Sequence, residues 1–137
     1  MKPFIKWVGG KTQIIEDVLG SFPTKMKDYH EVFVGGGSVL LSVLSRELVT
    51  GKVCAYDLNG SLIALYQNIQ SQPQAGYGHL KSLYEQYEKC EGLEVNRKAE
   101  TLEEAVKSKE NYYYWIRKRF NTEKEETPER SATFIFL

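Results

Sequence analysis

Gly35, Gly36 and Gly37, with Asp57, Trp7 and Lys11, are the residues whose types and spacing suit binding chemistry. The three glycines follow Glu31-Val32-Phe33-Val34 and precede Ser38, so a short apolar run leads into a bare turn. A turn without Cβ atoms, leaving a strand and opening a helix, lets backbone approach a ligand closely and points helix N-terminal N–H groups at it. A triple glycine alone is equally a tight, flexible turn. Asp57 shifts the balance: it follows Gly37 at about the twenty-residue separation of glycine turn and ribose-binding acid in dinucleotide folds. It also ends an apolar run, where open parallel sheets bind their ligands. The combination points to a nucleoside-type ligand.

A second glycine turn lies at the N-terminus, in Lys6-Trp7-Val8-Gly9-Gly10-Lys11. A lysine in the first turn of a helix opposes the helix dipole unless an anion is near, and an amino-acid carboxylate would suit. Trp7 also fits plain core, and Lys11 a solvated helix surface. Two common ligands are disfavoured. A dinucleotide fingerprint has a third small residue where this chain has Leu40, which argues against NAD. Gly10-Lys11-Thr12 imitates the end of a phosphate-binding loop, but Ile5 stands where that loop requires glycine, which argues against ATP hydrolysis.

Those residues need elements to place them. Before residue 60, β-type runs alternate with helical ones: Phe4 to Val8, a helix from about Lys11 to Leu19, Glu31 to Val34, a helix from Ser38 to Arg46, then Lys52 to Asp57. Strand, glycine turn, helix and strand make a βαβ unit, hence a parallel sheet with helices on its faces. After residue 60 the periodicity turns helical. Leu62, Leu65, Tyr66 and Ile69 recur at helical spacing, a Pro73–Gly78 loop interrupts, and Leu80, Leu83, Tyr84 and Tyr87 resume it. Glu91 to Lys109 is polar. A helix from about Glu110 to Asn121 puts Tyr113, Ile116 and Phe120 on one face, and a charged loop from Thr122 to Glu129 precedes Thr133-Phe134-Ile135-Phe136-Leu137. The domain reading is residues 1–60 as a nucleotide-binding half-sheet and 61–137 as the start of a helical segment.

Bulk composition excludes several classes. The chain has 137 residues, 42% hydrophobic and 26% charged, as in soluble globular domains. Lysine plus arginine number 18 and aspartate plus glutamate 18, so no net charge signals nucleic-acid binding, although a local patch could. Asn111 to Phe120 interleaves aromatics with Arg117, Lys118 and Arg119, which suits base stacking and phosphate contact. It suits an amphipathic helix with an apolar core face equally well. Cys54 and Cys90 have no metal-ligand spacing and are too few for a disulfide framework. His30 and His79 have no partners at catalytic or metal spacing, so both read as structural and no metal is expected. No secretory signal and no membrane-length apolar segment is visible, which gives a cytoplasmic reading.

Three motifs in order, Phe4-Ile5-Lys6-Trp7-Val8-Gly9-Gly10-Lys11, then Glu31-x-Phe33-x-Gly35-x-Gly37-Ser38, then Tyr56-Asp57-x-Asn59, resemble the Dam-like, D12-class DNA adenine N6-methyltransferases. Asn111-Tyr112-Tyr113 through Arg119-Phe120-Asn121 is similar to that family's aromatic helix, and Ala132 to Leu137 to the strand-like run after it. The resemblance implies a Rossmann-like S-adenosylmethionine-dependent fold, with an incomplete parallel sheet and a helical DNA-recognition segment begun but cut short. It implies S-adenosylmethionine as cofactor and double-stranded DNA as partner, in DNA methylation and restriction–modification. Trp7 and Lys11 match the motif that holds the methionine end. Phe33, Gly35 and Gly37 match the loop beneath the cofactor, Glu31 its acidic start, and Asp57 the acid that binds the ribose hydroxyls. Lys6 matches a position that touches DNA.

The chain departs from the family in one large respect. The family carries an Asp-Pro-Pro-Tyr motif that holds the flipped adenine, whereas the aspartates here are Asp17, Asp28 and Asp57, and the prolines at 3, 23, 73 and 128 are never adjacent. No catalytic residue is therefore assigned. The chain is expected to be an N-terminal portion, inactive alone and binding cofactor weakly or not at all. Alternatives are a non-catalytic cofactor- or partner-binding remnant, one half of a split enzyme completed by a second chain, and an RNA or small-molecule methyltransferase on the same fold. An uncovered sheet edge adds the expectation of self-association or poor solubility.

Overall fold

A computed structural model describes residues 1–137 in full. The chain forms two compact units, Met1–Ile63 and Ala64–Leu137. Seven helices and one two-stranded parallel sheet make it a mixed α/β protein.

In the first unit a 3-10 turn, Thr12–Ile14, runs into α1, Ile15–Gly20. Strand β1, Tyr29–Glu31, crosses through α2, Ser38–Ser45, to β2, Val53–Ala55. The two strands pair in parallel with Tyr29 opposite Val53, His30 opposite Cys54 and Glu31 opposite Ala55. The expected βαβ order is thus present, but β1 lies ahead of the expected Glu31 to Val34 run and shares only Glu31 with it, and β2 is shorter than Lys52 to Asp57. Pairing continues past β1 as single bonds, Tyr56 N–H to the Glu31 carbonyl at 2.9 Å and Val34 N–H to the Tyr56 carbonyl at 2.9 Å. Leu19, Val34, Leu40, Val43 and Leu62 are buried.

Phe4 to Val8 does not form a strand. The segment turns back on itself, with Gly10 N–H donating to the Trp7 carbonyl at 3.2 Å, and Val8 is 98% exposed. Its apolar residues therefore follow no strand alternation, and Trp7 finds its contact in the glycine loop instead of a sheet.

Helix α3, Gly60–Ser71, leads into the second unit, which holds α4, Pro73–Lys89, α5, Leu102–Ala105, α6, Lys109–Thr122, and α7, Pro128–Phe136. Two expectations fail here for local reasons. Pro73 to Gly78 is the start of α4, not a loop: Pro73 occupies the first turn, where its missing N–H lacks an intrahelical acceptor in any case. Gly76 and Gly78 lower helix propensity by about 1 kcal/mol each relative to alanine, and packing of α4 on α7 overrides that cost. The run ending at Leu137 is helical, not strand-like. Thr127 caps α7 by accepting from Arg130 N–H at 3.1 Å, and Pro128 sits in its first turn.

The aromatic residues of α7 then become core. The Phe136 ring meets Tyr84, Tyr87 and Tyr112 edge-on at 5.4, 5.6 and 6.1 Å. Leu83, Cys90, Ala99, Ala105, Tyr112 and Ile116 are buried around it. Burial pushes the Cys90 thiol and the Tyr112 hydroxyl above their ordinary values. Two buried polar side chains organise the connections. Arg130 lies over the Phe120 ring at 4.0 Å, pairs with Glu126 at 2.7 Å and donates through Nε to the Glu123 carbonyl at 3.0 Å. Asn111, fully buried, accepts from Asn96 N–H at 2.6 Å and donates to the Glu104 carbonyl at 3.5 Å, which closes the polar excursion between α4 and α6.

Replacing Asn111 by alanine strands the Asn96 N–H, since the Glu104 carbonyl keeps the Lys107 N–H, and is expected to lower the free energy of unfolding by about 2 kcal/mol. Arg97→Ala, which removes an exposed, solvent-screened ion pair with Glu110, should change it far less. Urea denaturation of both variants checks the contrast, and equal losses would refute the role given to Asn111.

Candidate functional site

Every residue singled out in the first 60 positions can be placed in the first unit. The segment between β1 and α2 holds Gly35 at φ +49° and Gly37 at φ +73°, both in the left-handed region that L side chains rarely adopt. Gly37 is the N-cap of α2 and has no side chain to offer the helix; its N–H donates to the Val34 carbonyl at 2.8 Å. A Cβ on Gly35 would lie 2.9 Å from Trp7 Cδ1, and one on Gly36 would lie 3.0 Å from Trp7 Cβ. Glycine is demanded at Gly35 twice, by backbone conformation and by the indole against it.

Asp57 reaches the same loop from the end of β2. Its Oδ2 accepts from Gly35 N–H at 3.0 Å and its Oδ1 from Asn59 N–H at 2.9 Å. Asn59 in turn accepts from Leu62 N–H at 3.0 Å and so caps α3. A carboxylate offers about four lone-pair sites, and these two bonds leave acceptor capacity for hydroxyl donors. The carboxylate also brings negative charge to a loop whose Val34, Gly35 and Gly37 N–H groups already have acceptors.

The N-terminal turn is tied to α2 by a bond from Lys11 N–H to Ser38 Oγ at 3.0 Å. Lys11 Nζ folds back on the Gly9 carbonyl at 2.7 Å. A cavity of about 510 Å³ opens here, lined by Lys2, Lys6, Trp7, Gly9, Gly36 and Ser38 among others. The charged side chains lining it are cationic. Lys6 is exposed at its rim.

Glu31 is half-buried at the end of β1. Burial pushes its carboxyl above the usual range, opposed by the Tyr29 hydroxyl donating to Oε2 at 3.0 Å and by a bond from the Leu40 backbone. Burial, and then the charge and hydrogen bond of Glu31, push the Tyr29 hydroxyl well up. Since Gly37 supplies no cap, Glu31 is the acid that serves the first turn of α2. Phe33 differs from its neighbours: it is 79% exposed and stands outside the packed loop.

Ser38, Tyr29 and Asn59 were not singled out as site residues by their types. Ser38 and Asn59 stand inside the motifs, and the only available signal was their place as potential capping residues next to a glycine turn and an acid. In the second unit, α6 buries Asn111, Tyr112 and Ile116 and exposes Arg117, Lys118 and Arg119, the arrangement of an amphipathic helix. Arg119 lies over the Trp115 ring at 4.7 Å and Arg97 over Tyr114 at 4.9 Å. His79 meets Thr133 Oγ1 at 3.3 Å, and His30 meets the Tyr56 hydroxyl at 3.3 Å. No helix of the chain is long and apolar enough to cross a membrane.

Comparison with known proteins places this geometry. Residues 7–137 match the model of the D12 class N6 adenine-specific DNA methyltransferases. The chain is 33% identical over 144 residues to the type II methyltransferase M.MjaIII of Methanocaldococcus jannaschii, covering 100% of this chain and 45% of that protein. It is 31% identical over 136 residues to the DNA adenine methylase of Haemophilus influenzae, covering 99% and 39%. The DNA adenine methylase of Escherichia coli is 29% identical over 138 residues, covering 99% and 40%. The chain thus spans less than half the length of these relatives. The family match over nearly all of its residues shows that the chain belongs to the D12 class N6 adenine-specific DNA methyltransferase family.

Proposed function

We propose that residues 1–60 hold S-adenosylmethionine, weakly in this chain alone, for methylation of adenine N6 in double-stranded DNA, with β1, α2 and β2 forming part of a Rossmann-like parallel sheet. The observation that carries this reading is the Gly35–Asp57 bond, which brings a bare loop and an acid together across 22 residues of chain. The donor set fits the group. Asp57 is suited to accept the ribose hydroxyls, Lys11 to meet the methionine carboxylate, and Gly35, Gly36 and Gly37 to let backbone lie against the nucleoside. Trp7 braces that loop, Glu31 stands at its start, and Phe33, exposed outside the packed loop, offers its ring to the cofactor. Bound cofactor supplies an electrophilic methyl on a sulfonium; transfer forms the N6–CH3 bond, breaks S–CH3 and releases one amino proton.

The residues of this chain bind and orient; none is assigned to the transfer itself, because no Asp-Pro-Pro-Tyr segment occurs among them. Lys6, exposed at the cavity rim, is the proposed DNA contact on this side. Residues 61–137 are read as the start of the helical target-recognition segment. The cytoplasmic reading is in keeping with a DNA substrate. The two-stranded sheet supports a further role for a complementing chain or self-association, since unpaired strand edges accept new strands.

Two measurements test the reading. In a titration of the 15N-labelled chain with S-adenosylhomocysteine, amide shifts are expected in residues 7–11, 31–38 and 57–59, and Asp57→Ala should abolish them. Absence of shifts, or shifts confined to residues 64–137, would overturn it. The second concerns pH. The Glu31 carboxylate accepts from the Leu40 backbone and holds the first turn of α2 better when ionised, so S-adenosylmethionine affinity should rise with pH through the elevated carboxyl range of Glu31 and then level off. Glu31→Gln should remove that dependence; an unchanged profile in the variant would exclude Glu31 as the group responsible.

A further inference from the structure

Ser38 has a chemical position that no motif role explains. It is the first residue of α2 and only 7% exposed, yet it lines the cavity beside Trp7, Gly9 and Gly36. Its Oγ accepts from Lys11 N–H at 3.0 Å, joining residues 27 apart in sequence. That N–H lies at the N-cap of the 3-10 turn Thr12–Ile14, where the first backbone N–H groups of a helix have no internal acceptor. The bond is part-buried, and the hydroxyl both satisfies this group and fixes its location.

We propose that Ser38 is a positioning residue for Lys11: its hydroxyl pins the Lys11 backbone so that only the side chain moves between the Gly9 carbonyl and the carboxylate of the bound cofactor. This rests on the cofactor reading given above. Two further features support it. Lys11 Nζ is parked on the Gly9 carbonyl at 2.7 Å, so it is held close to its own backbone and free to exchange one oxygen acceptor for another. Gly9 has φ +78° with no heavy atom within 4 Å of a built Cβ, so conformation and not crowding makes this position suit glycine. With the backbone anchored at Ser38 and turned at Gly9, the side chain of Lys11 starts from a defined point. An unanchored lysine would lose more rotamer freedom on binding.

The experiment is a double-mutant cycle on S-adenosylhomocysteine affinity, using Ser38→Ala, Lys11→Met and the pair. Ser38→Ala is expected to weaken binding about fivefold, the size of one neutral hydrogen bond, and to have no further effect once Lys11 is methionine. Ser38→Thr, which keeps the hydroxyl, should restore affinity. Weakening by Lys11→Met without any effect of Ser38→Ala overturns the positioning role and leaves the cofactor reading standing. An additive pair also overturns it, because the serine then acts independently of the lysine. Affinity unchanged in both single variants contradicts the cofactor reading itself. Should Ser38→Ala unfold, amide exchange of Lys11 in the unmutated chain decides: protection is expected, and free exchange overturns the proposal.

Discussion

The Gly35 N–H donates to Asp57 Oδ2 at 3.0 Å, and the candidate site is arranged around that bond. It closes the end of β1 against the end of β2 just where the strand ladder stops. Two strands of three residues each make a weak sheet, and the loop between them would not hold its shape by backbone pairing alone. Asp57 extends the pairing by a side chain. The indole of Trp7 then lies against Gly35 and Gly36 at distances that leave no room for a Cβ. One carboxylate and one aromatic ring thus fix a glycine loop whose residues have no side chains to fix it.

Helix α2 shows the same division of labour. Its N-cap is a left-handed glycine and cannot cap, and no acid stands in its first turn. The compensating group comes from elsewhere in the chain, Glu31 from β1, while the Ser38 hydroxyl is turned to the Lys11 N–H of the N-terminal turn. Backbone left open at a helix N-terminus is what binding an anion or a nucleoside requires. A local cap would occupy it.

What was legible in the residues was chemistry and period. The glycines, the acid at about twenty residues' distance and the parallel βαβ order were visible because each rests on short-range rules. The absence of a strand at Phe4 to Val8 was not, because apolar character says nothing about whether a partner strand exists, and Trp7 packs on a loop instead. Gly76 and Gly78 concealed the start of α4, where contact with α7 outweighs propensity. Phe134-Ile135-Phe136 has the composition of a strand, yet Thr127, Pro128 and the aromatic surroundings of Phe136 settle it as helix. Ser38 was hidden for another reason. Its partner is a backbone N–H, and backbone donors leave no trace in residue type.

The central claim is that the loop holds cofactor only in the shape that glycine, Trp7 and Asp57 impose. Calorimetric titration of Gly35→Ala with S-adenosylmethionine, beside circular dichroism to confirm that the fold persists, tests it most directly. Alanine at φ +49°, with its Cβ 2.9 Å from the indole, should displace Trp7 and lower affinity at least about tenfold, the equivalent of roughly 1.4 kcal/mol. A folded Gly35→Ala chain that binds as tightly as the unmutated one would contradict the account.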